Sequence, residues 1–262
     1  TYAECVTSTP GTASTQPYPT SGWRSLPASG NSTDGIGVLL CHGFTGTPRS
    51  MRPWAEYLAE RGHAVALPLL PGHGTTWQAM NLSEWTDWYD TVEQEYDWLA
   101  EHCEHVAVAG LSMGGALALR LAERMDPAGL MLVNPAIASN DPTMRLLPLV
   151  SRVVPSLKAI GNDIAKPGVD EGAYNRTPLR AAASMRKLWR AVIDDLDAVR
   201  CPALLFTSRQ DHTVDAASWR ILEARLPQLD HRWLADSYHV ATLDYDADTI
   251  FAASEDFLVR LL

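Results

Sequence analysis

The stretch from Val106 to Arg120, VAVAGLSMGGALALR, sets a strand signal almost directly against a helix signal. Val106 to Ala109 is a short apolar run containing β-branched residues, and from Gly115 onward Ala, Leu and Arg favour a helix. The glycines at 110 and 114 permit the sharp change of direction that such a junction needs. The chain is therefore predicted to run from a strand straight into a helix, with Ser112 held out at the turn in a strained conformation.

Strand-like and helix-like segments alternate through most of the 262 residues. Further strands are predicted at 36–40, 64–67, 129–133, 203–207 and 232–234, and helices at 52–61, 83–100, 219–226 and 249–262. This alternation is typical of an α/β domain with a mostly parallel sheet covered by helices on both faces. Its right-handed crossovers would bring the strand ends, Ser112 among them, to one edge. A single domain spanning 1–262 is expected.

Two segments break the alternation. Residues 1–34 are rich in Thr, Ser, Pro and Gly, which predicts an irregular arm laid on the domain, with Tyr18 and Trp23 as its apolar anchors. Residues 136–193 are divided by prolines and are too long for an ordinary connection, so we interpret them as a small inserted cap or lid over the strand edge. The alternative is a surface excursion without a gating role.

Composition excludes several classes of partner. The chain has 31 acidic and 21 basic residues, a net charge of −10, and its basic residues are scattered, which argues against nucleic acid and anionic membrane surfaces. No apolar run approaches the roughly 20 residues of a membrane helix, so stable membrane insertion is not expected. Four cysteines without a CxxC pair favour a reducing cytoplasm. Because the chain begins at Thr1, processing or secretion stays open.

The residues His102, Cys103 and His105 lie close enough together in the sequence to suggest a metal site. They fall at a helix-to-strand junction without a fourth ligand nearby, whereas a structural metal site needs a complete ligand set. We therefore expect neither a metal nor another cofactor.

Three predicted strand exits carry Ser112, Asp211 and His239, in that chain order. A serine alcohol is a poor nucleophile, so His239 would take its proton during attack and return it to the leaving group. Asp211 would hold the imidazole in the required tautomer. Asp215 and Asp236 compete for the acid role, but they fit the first turn of the next helix and a turn cap, respectively.

The strand 36–40 ends in HGFTG, at His42 to Gly46. Its glycines let the backbone approach a ligand, so the Phe44 N–H could face a developing oxyanion together with the N–H of Met113. His42 precedes the place in the chain where a triad histidine is expected, and we predict a structural role for it. His73, in the PGHG turn, is predicted to fix its loop.

These motifs together resemble the α/β hydrolase superfamily, and within it the bacterial carboxylesterase and monoacylglycerol lipase group. The matching segments are HGFTG at 42–46, PGHG at 71–74, GLSMGG at 110–115, CPALLF at 201–206 with the following Asp211-His212, and SYHVATLDYD at 237–246. The resemblance implies an α/β-hydrolase fold, a Ser112, Asp211, His239 triad and an oxyanion hole formed by the Phe44 and Met113 amides. It also implies that Glu171 meets the glycerol part of a monoacylglycerol. The alternative for Glu171 is a solvated surface carboxylate.

The expected function is that of a cofactor-independent serine esterase, acting on monoacylglycerols or short-to-medium acyl esters through an acyl-enzyme on Ser112. A thioesterase or acyltransferase would keep the same triad. A member of a different class, a non-catalytic ligand-binding protein, would keep the fold and lose the triad. The expected partner is a small acyl ester, and the expected state is a monomer or weak homodimer.

Overall fold

The computed structural model describes residues 20–27, 35–159 and 161–262, and its strands form one large and one small sheet. The strands are β1 (Trp23–Ser25), β2 (Ile36–Cys41), β3 (Ala64–Leu67), β4 (His105–Leu111), β5 (Gly129–Val133), β6 (Ser156–Lys158), β7 (Arg176–Pro178), β8 (Ala203–Ser208) and β9 (Leu229–Leu234). The large sheet has the order β1-β3-β2-β4-β5-β8-β9, and β6 pairs with β7. Within the large sheet β1 is antiparallel to β3, and the other neighbours are parallel. The mostly parallel sheet predicted from the alternation is confirmed.

Helices cover both faces of the large sheet, as predicted. They are α1 (Arg52–Ala59), α2 (Trp77–Met80), α3 (Trp85–Ala100), α4 (Met113–Ala122), α5 (Leu147–Val150), α6 (Leu179–Asp195), α7 (Ala217–Arg225) and α8 (Ala247–Val259). Along β4, Val106 and Val108 join the core cluster beneath α3, α4 and α6, whereas Ala107 and Ala109 join the cluster beneath α1 and α8. Alternate side chains of β4 thus pack into the two hydrophobic cores on opposite faces of the sheet. A strand that is buried on both faces must be apolar throughout.

The described part of the N-terminal arm is not wholly irregular. Trp23 faces Leu67 and extends the sheet by one antiparallel strand, while the Arg24 guanidinium donates to both carboxylate oxygens of Glu95 at 2.7 and 2.8 Å. Bidentate pairing of this kind fixes orientation as well as position. Tyr18, the other predicted anchor, lies outside the described residues.

Helix α3 begins two residues later than the Ser83 start predicted from the sequence. The Ser83 hydroxyl donates to the Met80 carbonyl at 2.9 Å and accepts from the Trp88 indole at 3.1 Å. The Glu84 N–H instead donates to the Asp87 carboxylate at 2.7 Å. The serine is thus committed to the preceding turn, and an acidic side chain caps the helix.

The segment 136–193 has two structural parts. Its first part contains α5 and the β6–β7 pair and lies outside the large sheet. Its last part is the beginning of α6, which packs against α3 and α4 in the main helical layer. We use "cap" below for residues 136–178, the part before α6.

Cys41, Cys103 and Cys201 are buried, free thiols. Burial raises the pKa of the Cys201 thiol to about 11, and it also raises the pKa of Cys41 and Cys103. Within the described residues, no group of three or more His, Cys, Asp and Glu side chains is placed to hold a metal ion. Across the same residues, no helix has the length and apolar character to span a bilayer.

Candidate active site

Ser112 lies at the predicted junction of β4 and α4, with φ 55° and ψ −119°. Its N–H donates to the Val133 carbonyl at 3.0 Å, which ties the turn to the neighbouring strand β5. A non-glycine residue at positive φ is strained and persists only where the surrounding structure enforces it. Here the strain holds a nearly buried serine, 9% exposed, at the carboxyl edge of the sheet.

Gly114 permits this turn because it has no side chain. A Cβ at 114 would lie 2.0 Å from the Cys41 carbonyl oxygen, which is a backbone atom at the end of the central strand β2. Real side chains do not approach backbone oxygen so closely, so either the turn or β2 would have to move. The close packing of these two elements sets how near Ser112 lies to the residues that follow β2.

Gly114→Ala is therefore expected to destabilise the fold by about 3 kcal/mol or more, at the upper end of overpacking costs. Thermal or urea unfolding of the purified variant measures this. Gly161→Ala is the matched control, because a Cβ there would make only ordinary contacts of 3.7 Å. A Gly114→Ala protein as stable as the control would contradict the close packing.

His239 and Asp211 form a direct pair. The Nδ1 atom of His239 lies 2.8 Å from Oδ2 of Asp211, and Oδ1 of Asp211 accepts from the N–H groups of Thr213 and Val214 at 2.7 and 2.8 Å. An ionised carboxylate only accepts hydrogen bonds, so the proton of this contact belongs to Nδ1. The Nε2 atom of the neutral ring then keeps a free lone pair and can act as a base.

The electrostatics of this pair follow from burial and charge. Burial alone would lower the pKa of His239, but the charge of Asp211 and its hydrogen bond, with smaller contributions from Glu171 and Asp163, raise that pKa above its ordinary value. Burial opposes ionisation of Asp211, and the charge of His239 overcomes it, so the pKa of Asp211 is lowered. Each partner therefore favours the charged form of the other.

The two competing carboxylates are placed elsewhere. Asp215 accepts from the Asn140 and Ala217 N–H groups at 2.7 and 2.8 Å, directly before α7, in line with the helix-start position predicted for it. Asp236 is exposed, and its own N–H donates to the Asp246 carboxylate at 3.0 Å. The turn-capping role predicted for Asp236 is wrong, because Asp246 caps that turn from ten residues downstream.

The two predicted oxyanion donors are Met113, which follows Ser112 in the chain, and Phe44, which lies in the turn after β2. Met113 is the first residue of α4, where helix geometry leaves the N–H without an intrahelical acceptor. Phe44 follows Gly43, whose Cβ position would lie 3.5 Å from the Cβ of Ser112. The HGFTG turn is held in shape by the Gly46 N–H, which donates to the Gly43 carbonyl at 3.3 Å. The turn that carries Phe44 thus packs against the serine, and Phe44 and Ser112 line the same cavity.

His42 and His73 lie behind this turn. The Nδ1 atom of His42 contacts the Gly43 carbonyl at 3.0 Å, and its Nε2 accepts from the Leu70 N–H at 3.2 Å. Burial lowers the pKa of His42 to about 4, against the opposing effect of the Gly43 hydrogen bond, so the ring is neutral. His73 is also buried and contacts the Pro71 carbonyl at 3.2 Å within its own loop. These contacts agree with the structural roles predicted for both histidines.

Ser112, His239 and Phe44 line one cavity of about 720 Å³. Its wall is predominantly apolar, and the cap and α6 supply much of it: Met144, Leu146, Leu147, Val150, Leu157, Leu179, Met185 and Trp189. An apolar cavity with a few polar groups at one place is the usual form of a small-molecule site. Ser112 and His239 therefore open onto a space suited to a substrate with an apolar chain.

Glu171 is buried in the wall of this cavity and is not a solvated surface carboxylate. It is 8% exposed; its Oε1 accepts from the Asn162 N–H at 2.9 Å, and its own N–H donates to the Asn162 side-chain carbonyl at 3.0 Å. A Cβ at Gly46 would lie 3.4 Å from its Oε2, so the carboxylate reaches the HGFTG turn. Burial raises the pKa of Glu171, with the Asn162 N–H acting in the opposite direction.

Two residues near His239 were not singled out from the sequence. The Asn134 amide donates to the His239 carbonyl at 2.8 Å and to the Ser208 hydroxyl at 2.9 Å. The Asp163 carboxylate accepts from the His239 N–H at 3.2 Å. Asn134 follows a predicted strand directly and could have been noted for that position, whereas Asp163 lies in the cap and has no such signal.

Comparisons with known proteins agree on one family. A model of the "Alpha/beta hydrolase family" matches residues 38–253. The thermostable monoacylglycerol lipase of Bacillus sp. (strain H-257) is 41% identical over 233 residues, which cover 86% of this chain and 91% of that protein. A carboxylesterase of Bacillus subtilis (strain 168) is 26% identical over 227 residues, covering 86% and 92%.

Solved structures give the same picture. One from work on LipS and LipT, two metagenome-derived lipolytic enzymes, has a TM-score of 0.86 and 37% identity, and covers 92% of this chain and 98% of its own. The monoacylglycerol lipase of Paleococcus ferrophilus has a TM-score of 0.75 at 18% identity, covering 92% and 99%, which shows a shared fold.

Proposed function

The chain belongs to the alpha/beta hydrolase family and is a serine hydrolase of carboxylic esters, and we propose that its substrates are monoacylglycerols and related short-to-medium acyl esters. One observation carries the proposal. A strained serine and a histidine that is paired with an aspartate line the same apolar cavity, and the buried carboxylate Glu171 lies in its wall.

We propose that acyl transfer to Ser112 begins the reaction. Its hydroxyl oxygen attacks the ester carbonyl while its proton passes to Nε2 of His239, which Asp211 holds in the required tautomer. The carbonyl oxygen becomes an oxyanion that accepts from the Phe44 and Met113 amides, each worth ~3 kcal/mol in the transition state. The C–O bond then breaks, and the leaving alcohol takes the proton from His239.

Water completes the cycle. A water molecule gives a proton to Nε2 of His239 while its oxygen attacks the acyl carbonyl. The Phe44 and Met113 amides again stabilise the oxyanion that forms. Collapse breaks the bond to Ser112, returns the proton to its oxygen and releases the acid. The neutral form of His239 is needed at the start of both acylation and deacylation.

The form of the cavity supports a substrate with one acyl chain and a small polar alcohol. The apolar wall contributed by the cap and α6 suits the chain, because burying methylene groups there is worth about 0.8 kcal/mol each. A carboxylate accepts hydrogen bonds, so Glu171 suits the free hydroxyls of a glycerol. A relative 41% identical to this chain is named a monoacylglycerol lipase.

A substrate series tests this proposal. Hydrolysis of monoacylglycerols and p-nitrophenyl esters of graded chain length, beside a triacylglycerol, is expected to give the highest kcat/KM for a monoacylglycerol and little turnover of the triacylglycerol. In Glu171→Gln, kcat/KM for the monoacylglycerol is expected to fall about 10- to 100-fold, the value of a hydrogen bond to a charged group.

The p-nitrophenyl ester of the same acyl chain is the internal control, because it has no glycerol and should be hydrolysed by Glu171→Gln at close to the wild-type rate. Equal losses on both substrates, or none on either, would show that Glu171 does not select the alcohol. Preference for a thioester or an acyl acceptor other than water would replace the proposed substrate class while leaving Ser112 as the nucleophile.

We also propose a cytoplasmic location and a monomer or weak homodimer. The three free, buried thiols among the described residues support a reducing compartment. Cell fractionation and size-exclusion chromatography measure the two properties directly.

A further inference from the structure

The cap contains a loop, residues 161–171, that returns to the sheet edge and contacts the turn carrying His239. We call it the cap loop. Within it, the Asp163 carboxylate accepts from the backbone N–H groups of His239 and His212 at 3.2 and 3.1 Å, and its second oxygen lies 2.9 Å from Nδ1 of His212. The Asp163 carbonyl accepts from the Val240 N–H at 3.0 Å. One cap residue therefore accepts from two consecutive backbone N–H groups, those of His239 and Val240.

The same carboxylate joins the two loops that carry the histidine–aspartate pair. His212 directly follows Asp211, and His239 is the partner of Asp211. These loops leave different strands, β8 and β9, and lie 28 residues apart in the sequence. Because Asp163 bonds to both, it fixes the distance between them from a third part of the chain.

A second carboxylate supports this arrangement from the other side. Asp244 accepts from the cap-loop N–H groups of Ala165 and Lys166 at 2.7 and 2.9 Å, and from the Tyr238 N–H at 2.9 Å. Two carboxylates thus link the cap loop to the turn that carries His239: Asp163 from the cap loop, and Asp244 from the segment that follows His239.

The residue before Asp163 reaches the other end of the site. Asn162 has φ 61°, and it exchanges two hydrogen bonds with Glu171, in which each side chain accepts from the other residue's N–H. Backbone strain at a non-glycine residue persists when its contacts over-determine it. Two consecutive residues therefore face the two ends of one site, His239 and Glu171.

We propose that Asp163 is a positioning residue for hydrolysis, which holds the backbone of His239 so that Nε2 meets Ser112, and which keeps Glu171 in register through Asn162. This inference rests on the proposed function. Displacing a reacting group by about 1 Å can cost about 100-fold in rate, so a small relaxation of the His239 turn is sufficient to slow the reaction. The cap loop is accordingly one of the elements that position His239, the general base.

Asp163→Ala removes all three side-chain acceptor contacts and is expected to lower kcat for a p-nitrophenyl ester about tenfold or more, with KM little changed. Asp163→Asn keeps one oxygen that can accept from the two backbone N–H groups, so it is expected to restore most of that kcat. The matched control is Asp170→Asn in the same cap loop, whose carboxylate accepts from the Gly172 N–H and makes no contact with His239 among the described residues.

A pH profile separates positioning from general destabilisation. Three carboxylates, Asp211, Glu171 and Asp163, raise the pKa of buried His239. Removing the Asp163 charge in either variant is expected to move the acidic limb of kcat/KM to lower pH, which loss of stability alone would not do. Thermal unfolding and near-UV circular dichroism report whether each variant is folded at the assay temperature.

The inference is overturned if folded Asp163→Ala has a kcat within about twofold of wild type, or if its loss of kcat disappears once the unfolded fraction is subtracted. If Asp163→Ala does not fold, Asp163→Glu decides, because it keeps the charge but lengthens the side chain, so that the carboxylate no longer fits the N–H groups of His239 and His212. A lower kcat in folded Asp163→Glu supports the inference, and an unchanged kcat rejects it. Wild-type protein inactive on every ester would instead reject the proposed function.

Discussion

Replacing Ser112 by alanine is expected to abolish ester hydrolysis, with kcat reduced by about 10⁶-fold, as in other serine hydrolases that lose the nucleophile. The variant retains the cavity, the His239–Asp211 pair and the amides of Phe44 and Met113, so it should bind substrate and fail at the chemical step. The remaining rate would come from water attacking a carbonyl beside the intact amides. Turnover of a p-nitrophenyl ester measures the loss.

Covalent labelling gives an independent measurement of the same prediction. A fluorophosphonate probe should label the wild-type protein once, on Ser112, and should not label Ser112→Ala. Ser139→Ala is the matched control, because Ser139 also lines the cavity but donates its hydroxyl to Asp215. Retained activity or labelling in Ser112→Ala would contradict the assignment of the nucleophile, and an unlabelled wild-type protein would favour a non-catalytic binding role.

Asp211→Asn is expected to lower kcat by about 10⁴-fold, because the amide can present a donor to Nδ1 and so favour the wrong tautomer of His239. Folding should survive, since the asparagine carbonyl can still accept from the Thr213 and Val214 N–H groups. Asp236→Asn is the control, because Asp236 is close to His239 in the sequence and its carboxylate is exposed. This variant should retain wild-type kcat. Full activity in Asp211→Asn, or an equal loss in Asp236→Asn, would move the acid role elsewhere.

The pH dependence of these proteins has a definite sign. Only neutral His239 can accept the serine proton, so wild-type kcat/KM is expected to fall as the pH drops through the His239 pKa, which is raised above its ordinary value. Asp211→Asn loses the charge and the hydrogen bond that raise this pKa, while burial, which lowers it, remains. The acidic limb of its residual activity should therefore lie at lower pH than in wild type.

The central strands were predictable because their sequences leave few alternatives. The predicted bounds 64–67 and 129–133 are those of β3 and β5, since both are short apolar runs that must be buried on two faces. Strand β1 was not predictable because WRS has no apolar periodicity and becomes a strand only by pairing with β3, 40 to 44 residues away. Strand β9 is longer than predicted, because an edge strand carries polar residues such as Asp230 and Arg232.

The site was predictable where its residues follow strands. Ser112, Asp211 and His239 were each singled out at a strand exit, and the parallel sheet brings such exits to one edge. Asp163 and Asn162 could not be found this way, since their meaning depends on partners up to 76 residues away, reached through a loop with no secondary-structure signal. The resemblance to a known family, and not periodicity, pointed to Glu171.

Helix α6 lines the cavity with Leu179, Met185 and Trp189 and also packs against α4, the helix that begins beside Ser112. One part of the cavity wall and the helix that follows the nucleophile therefore belong to one packed layer, in which Met185 is shared with the buried core. The part of the wall that α6 supplies should for this reason keep its place even if the cap shifts. Substitutions in α6 would reshape that fixed part of the cavity, whereas substitutions in the cap would reshape the remaining wall.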